Sequence, residues 1–485
     1  MVGKYQLEIG AHADGQNDFA LGMTTSADLQ DGGFSKETTQ VNIIAVPGVM
    51  YAPGAVTDKS TGLTGEIIAS CEDGSGNYHR VYVSTDSGSD GRFFSINSAG
   101  TLTERGAEDT TQDFIRGKTD MMSVFSEVYI TSASGVVRWS SVGSSNTFNY
   151  SFFSFNDALA PHPTLNYEAN GYFGDGNRLL RMTSAGGTPT VILTLATGQV
   201  IVALGIDPAT GKMLISVVQQ LNMSANVNSS ARVLYYNGFS NKADKVVLVD
   251  EMIMAFYNVG AVVYVTYGRS LGYWLGSGIK FLRALDVTYD GTVLPYKHKL
   301  TNIGSTLYVV EKRQVLAFGP VVANGSNVFY YALQNNEGDS GNYSHISNIG
   351  SDGSTGPRLG LAFATAKFYT HDVMSIAAVI NGGALFYSRR IRLQRPIFIR
   401  KIRVEFATPI TTGSDNVLTL ALLDDAGGTT TRTIAQDAAN TQPYFDSESF
   451  DKKTAYFQVR TTIAPGTPSN VFGIRRYLVF YDYAE

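Results

Sequence analysis

Ile201-Val202-Ala203-Leu204-Gly205-Ile206-Asp207-Pro208-Ala209-Thr210-Gly211-Lys212-Met213-Leu214-Ile215-Ser216-Val217-Val218 holds two apolar, β-branched runs on either side of a polar break. Pro208 presets φ for a turn and Gly211 is free to take φ > 0, so the two runs are predicted to fold back on each other as a hairpin. The same residues superficially suggest a phosphate loop. Its glycines are one residue too far apart, and Met213 stands where a Ser or Thr would hold magnesium.

The same design repeats through the chain. Arg80-Val81-Tyr82-Val83 precedes Asp86-Ser87-Gly88, Glu127-Val128-Tyr129-Ile130 precedes Gly135, and Val262-Val263-Tyr264-Val265-Thr266-Tyr267 precedes Gly268. Val328-Phe329-Tyr330-Tyr331-Ala332-Leu333 precedes Asn335-Asn336. Such runs between turn formers, with hardly an amphipathic helix among them, predict an all-β protein. From residue 41 to 365 the strand clusters recur at roughly 30–50 residues, the range in which repeated sheets build a β-propeller-like domain; stacked sandwiches are the alternative. Gly135-Val136-Val137-Arg138-Trp139, Asn177-Arg178-Leu179-Leu180-Arg181, Arg232-Val233-Leu234-Tyr235-Tyr236 and Arg313-Gln314-Val315-Leu316-Ala317-Phe318 echo one another within it.

Residues 1–40 are glycine-interrupted and lack a sustained period, which reads as an extended N-terminal arm. Composition shifts near residue 365, and residues 366–485 read as a C-terminal β-sandwich, jelly-roll-like, with five strands. In the second of these, Ile402, Val404 and Phe406 alternate with Arg403 and Glu405, as a strand with one buried face requires.

Charged residues make up 16% of the 485 positions, against about 25% on average, while glycine is enriched at 50. That balance suits a β-protein whose flanks are covered by neighbours. The formal net charge of −5 disfavours global attraction to nucleic acid or anionic membrane. Neither a secretory leader nor an apolar run long enough to span a bilayer is read, so no membrane insertion and synthesis in a cytoplasm are expected. Asn-x-Ser/Thr triplets at Asn149, Asn222, Asn228, Asn324 and Asn342 are then chance matches. Cys71 is the one cysteine, which excludes an intrachain disulfide, and it reads as a small buried filler.

No constellation identifies a reaction, and no cofactor or metal is predicted. Gly338-Asp339-Ser340-Gly341 matches a serine-protease string but lacks a triad context. Val83-Ser84-Thr85-Asp86-Ser87-Gly88 resembles the start of the Asp-box turn of sialidase-type propellers, without a second copy. His12, His79, His162, His298, His345 and His371 show no pair at metal-ligand spacing. Glu108-Asp109 and Asp424-Asp425 read as solvated loop charges. The exception to this blandness is Arg389, Arg390, Arg392, Arg395, Arg400, Lys401 and Arg403, seven cations within 15 residues of an otherwise acidic chain. They form a candidate interface or channel-facing cluster. The alternatives are an exposed strand edge guarded by charge, an acidic neighbouring subunit and a nucleic-acid backbone, with the subunit favoured over nucleic acid because aromatic interleaving is sparse.

Gly174-Asp175-Gly176-Asn177-Arg178-Leu179-Leu180, Ser305-Thr306-Leu307-Tyr308-Val309-Val310-Glu311 and Ile399-Arg400-Lys401-Ile402-Arg403-Val404-Glu405-Phe406 carry a resemblance to the β-propeller tail proteins of tailed bacteriophages, of the nozzle or hub type. The resemblance implies a structural virion protein in the tail, assembled as a sixfold ring of copies around a channel that DNA crosses with transient, non-specific contact, beside other tail proteins. It implies no enzyme. Two other functions are weighed against it: a receptor- or glycan-binding adhesin that stacks aromatics, from Trp139, Trp274 and the tyrosines, on sugars, and a propeller-type glycosidase with convergent carboxylates.

Overall fold

The hairpin at residues 201–218 forms as strands Gln199–Asp207 and Lys212–Gln219, with Asp207 opposite Lys212 and Gly211 at φ +67°. Asp207 closes the turn by accepting the Ala209 N–H at 3.0 Å and the Thr210 hydroxyl at 3.0 Å. This computed structural model describes residues 5–10, 16, 18–21, 40–43, 49–54, 56–60, 62–85, 91–107, 113–141, 146–219, 231–285, 296–320, 327–334, 341–351, 356–377, 384–410, 418–424, 427–434, 442–463 and 473–484. The Asp-box turn at Asp86, the Ser340 string, the Glu108-Asp109 pair, His12 and Asn222, Asn228 and Asn324 lie outside those residues. The chain forms two units, Thr57–Lys312 with Gly341–Thr370, and Met1–Val56 with Arg313–Ser340 and His371–Glu485.

The first unit is a β-propeller, its blades four-stranded sheets. Blade 1 comprises Ile67–Glu72, Arg80–Ser84, Arg92–Ile96 and Leu102–Ala107; blade 2 comprises Met121–Val124, Glu127–Thr131, Gly135–Ser140 and Thr147–Ser154. Blade 3 comprises Thr164–Tyr167, Asn170–Asp175, Arg178–Met182 and Thr190–Thr194. Blade 4 continues the hairpin with Ala231–Tyr236 and Lys245–Val249, and blade 5 comprises Ile253–Val259, Val262–Tyr267, Ser270–Trp274 and Ile279–Ala284. Blade 6 comprises Tyr343–Gly350, Arg358–Phe363 and Lys367–Asp372, completed by Thr57–Asp58 from far upstream. There Asp58 pairs with Tyr369 and Thr57 with Thr370.

First strands of successive blades pack on one another. After blade 5, the hairpin Leu300–Ile303 and Thr306–Glu311 fills a further place in the ring, leading to Tyr343–Gly350 and so back to Ile67–Glu72. Three of the four echoes have a structural basis: Gly135–Ser140, Arg178–Met182 and Ala231–Tyr236 are the third strands of blades 2, 3 and 4, while the fourth, Arg313 to Phe318, falls in the second unit.

The apolar runs lack a polar face because each blade is covered on both sides. Alternate residues then serve opposite neighbours: Val81 and Val83 join Val128, Ile130 and Trp139 of blade 2, while Tyr82 joins Ile349 and Phe368 of blade 6. Leu214 and Val218 face blade 5, and Ile215 and Val217 face blade 3. Each fully buried Val, Leu, Ile or Phe contributes about 1.5–3 kcal/mol relative to exposure. The spacing between blades is set in part by Gly205, where a Cβ would lie 2.3 Å from that of Phe256.

In the second unit, Gln314–Pro320, Asn327–Gln334, Gln40–Asn42, Met50–Pro53, Gly473–Tyr483, Ile391–Ile410, Lys452–Ile463, Leu418–Asp424 and Thr429–Ile434 succeed one another in a single hydrogen-bonded sheet. The five C-terminal strands read from sequence are all present. Their order joins them in that one sheet and does not itself divide them into the two facing layers of a sandwich. Ile391–Ile410 holds the region together by pairing with Lys452–Ile463, Gly473–Tyr483 and Gln442–Asp446 along its length. From the segment read as an arm, Tyr5–Gly10 forms a strand beside Gly473–Tyr483, and Phe19 is buried edge-on to Tyr477.

Candidate functional site

The seven-cation cluster lies on and just before Ile391–Ile410. Ile402, Val404 and Phe406 are buried, as their alternation predicts, and Ile399 is buried as well. A register shift between Ile399 and Lys401 puts both Arg400 and Lys401 on partly exposed positions. Arg400 bonds Asp451 and Asp482, each at 2.8 Å. Arg403 grips Asp446 through two bonds, of 2.7 and 3.0 Å, and lies 3.8 Å over the Tyr444 ring. Lys401 reaches the same carboxylate at 2.5 Å. These cations hold the Asp446 carboxyl below its ordinary range against the opposing pull of burial. Arg389 pairs with Asp18 at 3.4 Å, and Arg390 lies over Tyr456. Arg392 and Arg395 are exposed, and among the described residues their side chains make no ion pair. The cluster therefore divides into a braced part that ties strands together and an open part at Arg392 and Arg395.

A second polar centre, not singled out from sequence, lies inside the propeller. A short 3-10 turn, Tyr296–Lys299, packs against the first strands of blades 1, 5 and 6. It reaches the other side of the ring through Lys297 and His298. Lys297 Nζ lies 3.0 Å from both oxygens of Asp120, just before blade 2, and donates to the Thr164 carbonyl of blade 3 at 3.2 Å. His298 Nε2 lies 2.7 Å from Asp120 Oδ1, while the backbone N–H of Thr164 donates to Asp120 Oδ2 at 2.7 Å. On the far side of the His298 ring, Nδ1 faces the Ser70 N–H at 3.5 Å.

Burial opposes the charge on Asp120, but the Lys297 ammonium and the His298 and Thr164 hydrogen bonds outweigh it and hold the carboxyl well below the carboxylate range. Burial pushes His298 the other way, toward the neutral ring. His345 stands beside it, ring centres 5.8 Å apart, with neither nitrogen hydrogen-bonded among the described residues. Desolvation, then His298 and Arg80, drive its pKa well below the usual imidazole value. The carboxylate is thus committed to a cation and a ring, out of contact with solvent. This geometry braces strands.

The remaining sequence candidates have structural surroundings. Cys71 is buried between blades 1 and 2, its thiol pushed up to about 12 by desolvation. His162 stacks on Phe155 at 3.8 Å, and its ring nitrogens lie 3.1 Å from the Gly174 carbonyl and 3.3 Å from the Ala133 carbonyl, to one of which the neutral ring donates. Asp424 corrects the expectation of a solvated charge: it is buried, 2.9 Å from Lys452, and caps the Gly428 N–H at 2.8 Å. Asp425 lies outside the described residues. Trp139 and Trp274 are buried, the first among Phe93 and Phe148 and the second donating to the Tyr235 hydroxyl at 2.7 Å. Among the described residues no three His, Cys, Asp or Glu are placed to hold a metal ion, and no helix is long and apolar enough to cross a membrane.

No family model and no curated protein matches the chain. Among solved structures it is similar to a chain of the structure described as "Crystal Structure of Mitotic Checkpoint Complex", with 7% identity, a TM-score of 0.42, and 67% of this chain and 96% of that one covered. It is also similar to Kluyveromyces lactis Hsv2, with 10% identity, a TM-score of 0.35, and coverage of 68% and 95%. Neither similarity bears on function. The chain is a propeller protein, and its role has to be argued from its own residues.

Proposed function

We propose that the chain is a structural subunit of a tailed-phage tail, of the nozzle or hub type, which assembles with copies of itself into a sixfold ring around a DNA-passage channel. The observation that supports this reading is the use made of the polar groups inside the propeller: Asp120, Lys297 and His298 are spent on joining first strands that lie far apart in sequence. A wall that carries load needs such bracing, and an acidic subunit resists adhesion of passing DNA. Other tail proteins are its further partners, and the tail of the virion is its location. The glycan-stacking alternative loses both tryptophans to the core.

The test is the native mass of the purified chain together with electron microscopy of particles carrying a labelled copy. A closed ring in solution and label in the tail are expected. Monomers at every concentration, or particles without label, overturn the proposal.

A further inference from the structure

The open part of the basic cluster sits on a bulge. Arg392 pairs with Tyr456 and Ile397 with Thr454, so Leu393, Gln394, Arg395 and Pro396 have only Ala455 opposite them. Extra residues in one strand push their side chains out of the ladder and re-aim them, and Gln394, Arg395 and Pro396 are all exposed. The bulge is held from the other side, where the Ala484 N–H donates to the Pro396 carbonyl at 3.1 Å. It is therefore a fixed projection carrying cations.

Aromatic rings flank it. Tyr456 stands opposite Arg392, with the Arg390 guanidinium 5.9 Å over its ring. Tyr483 stands opposite Ile397 on the neighbouring strand, is 51% exposed, and is propped edge-on by Tyr5 at 4.8 Å and Tyr481 at 5.7 Å. Phe398 and Lys453, paired next along the strands, point to the opposite face of the sheet and take no part in this surface. Among the described residues Arg392 and Arg395 lack a carboxylate partner, unlike Arg400, Lys401 and Arg403 on the same strand. Aromatic interleaving, sparse in the linear sequence, is supplied by the neighbouring strands.

We infer that the Arg392–Pro396 bulge, with Arg390, Tyr456 and Tyr483, is a binding surface for single-stranded nucleic acid. Cations spaced along a projecting strand follow a phosphate backbone, and half-exposed rings accept unpaired bases by stacking. An acidic protein surface would use the charges and leave the rings idle. The acidic chain as a whole keeps the affinity low, in the range of about 10⁻⁴–10⁻⁶ M usual for non-specific contacts. The inference goes beyond the ring proposal and does not depend on it.

The test is fluorescence anisotropy of the full chain with a labelled oligothymidylate of about 20 nucleotides. Binding is expected to weaken about 10–50-fold between about 50 and 200 mM salt. R392E/R395E is expected to lose about tenfold or more at low salt. Tyr483→Ala is expected to lose about fivefold, with Tyr483→Phe retaining affinity. Lys212→Gln, which removes one cation paired to Asp244 in the propeller, is expected to change nothing. If R392E/R395E loses its cooperative melt, the single R392Q and R395Q variants replace it, each expected to lose about twofold. No oligonucleotide binding at low salt, equal binding by R392E/R395E or by both glutamine singles, retention by Tyr483→Ala, or equal loss in Lys212→Gln overturns the inference. So does binding of heparin without binding of the oligonucleotide, which would assign the surface to an acidic polysaccharide. Ring mass is measured separately, so either proposal can fail alone.

Discussion

His298 Nε2 and Asp120 Oδ1 lie 2.7 Å apart, a bond between residues 178 positions apart in the chain. Both side chains are buried, and Lys297 completes the group from the same short turn as His298. Removing one member of a buried charged group leaves the others desolvated and uncompensated, which costs more than the group contributes when intact.

Asp120→Asn keeps the shape and removes the charge. The expected loss in unfolding free energy is about 3 kcal/mol, measured by urea titration. Lys297→Met in the same chain is expected to recover part of that loss, since it removes the orphaned cation. Equal stability of Asp120→Asn and the parent would show that the group is not under load.

Acid is expected to weaken the propeller before its carboxylates titrate. His298 and His345 have folded pKa values lowered by burial, below the unfolded value of about 6.5. Below about pH 6.5 the unfolded chain therefore binds protons that the folded chain refuses, so stability is complete above that pH and falls as pH drops toward the folded values. The slope is about 1.4 kcal/mol per pH unit for each such histidine. Because neither nitrogen of His345 is bonded, His345→Leu is expected to flatten the slope with little cost at neutral pH. Thermal unfolding between about pH 5 and 8 checks this, and an unchanged slope would count against it.

Gly205→Ala tests the blade spacing. A methyl there meets Phe256 within 2.3 Å, so the first strands of blades 4 and 5 have to part. A loss of about 1–3 kcal/mol is expected by denaturant unfolding. Because the contact is with the Cβ and Cγ of Phe256, which leucine also carries, adding Phe256→Leu is expected to leave the loss in place.

Asp446→Asn leaves Arg403 and Lys401 without their shared counter-charge. The site is partly exposed, so a loss of only about 1 kcal/mol is expected, shrinking with added salt. A cost that does not depend on salt would point to packing of Arg403 on Tyr444 instead.

The blades were legible because their stability rests on residues close in sequence. Val81 and Val83 against Tyr82, or Ile215 against Leu214, reveal strands covered on both sides, and Gly211 marks the turn between two of them. The echoing third strands were visible for the same reason. The Asp120 group was not, because a polar side chain gives no period and its partners are brought in by ring closure. Only the basic triplet Lys297-His298-Lys299 hinted at it. The cations at residues 389–403 were obvious in composition, but their division into braced and open depends on Asp446, Asp482 and Asp18, which arrive from other strands or from the far end of the chain.

Blade 6 takes its last strand from Thr57–Asp58, although its other strands begin at Tyr343. A nascent chain can therefore fold its early hairpins as they leave the ribosome, yet Thr57 and Asp58 must wait until Tyr369 and Thr370 have been translated. Premature termination anywhere before that point leaves an unlatched ring with a bare edge at each end, so truncated products are expected to aggregate or be degraded rather than persist as smaller propellers.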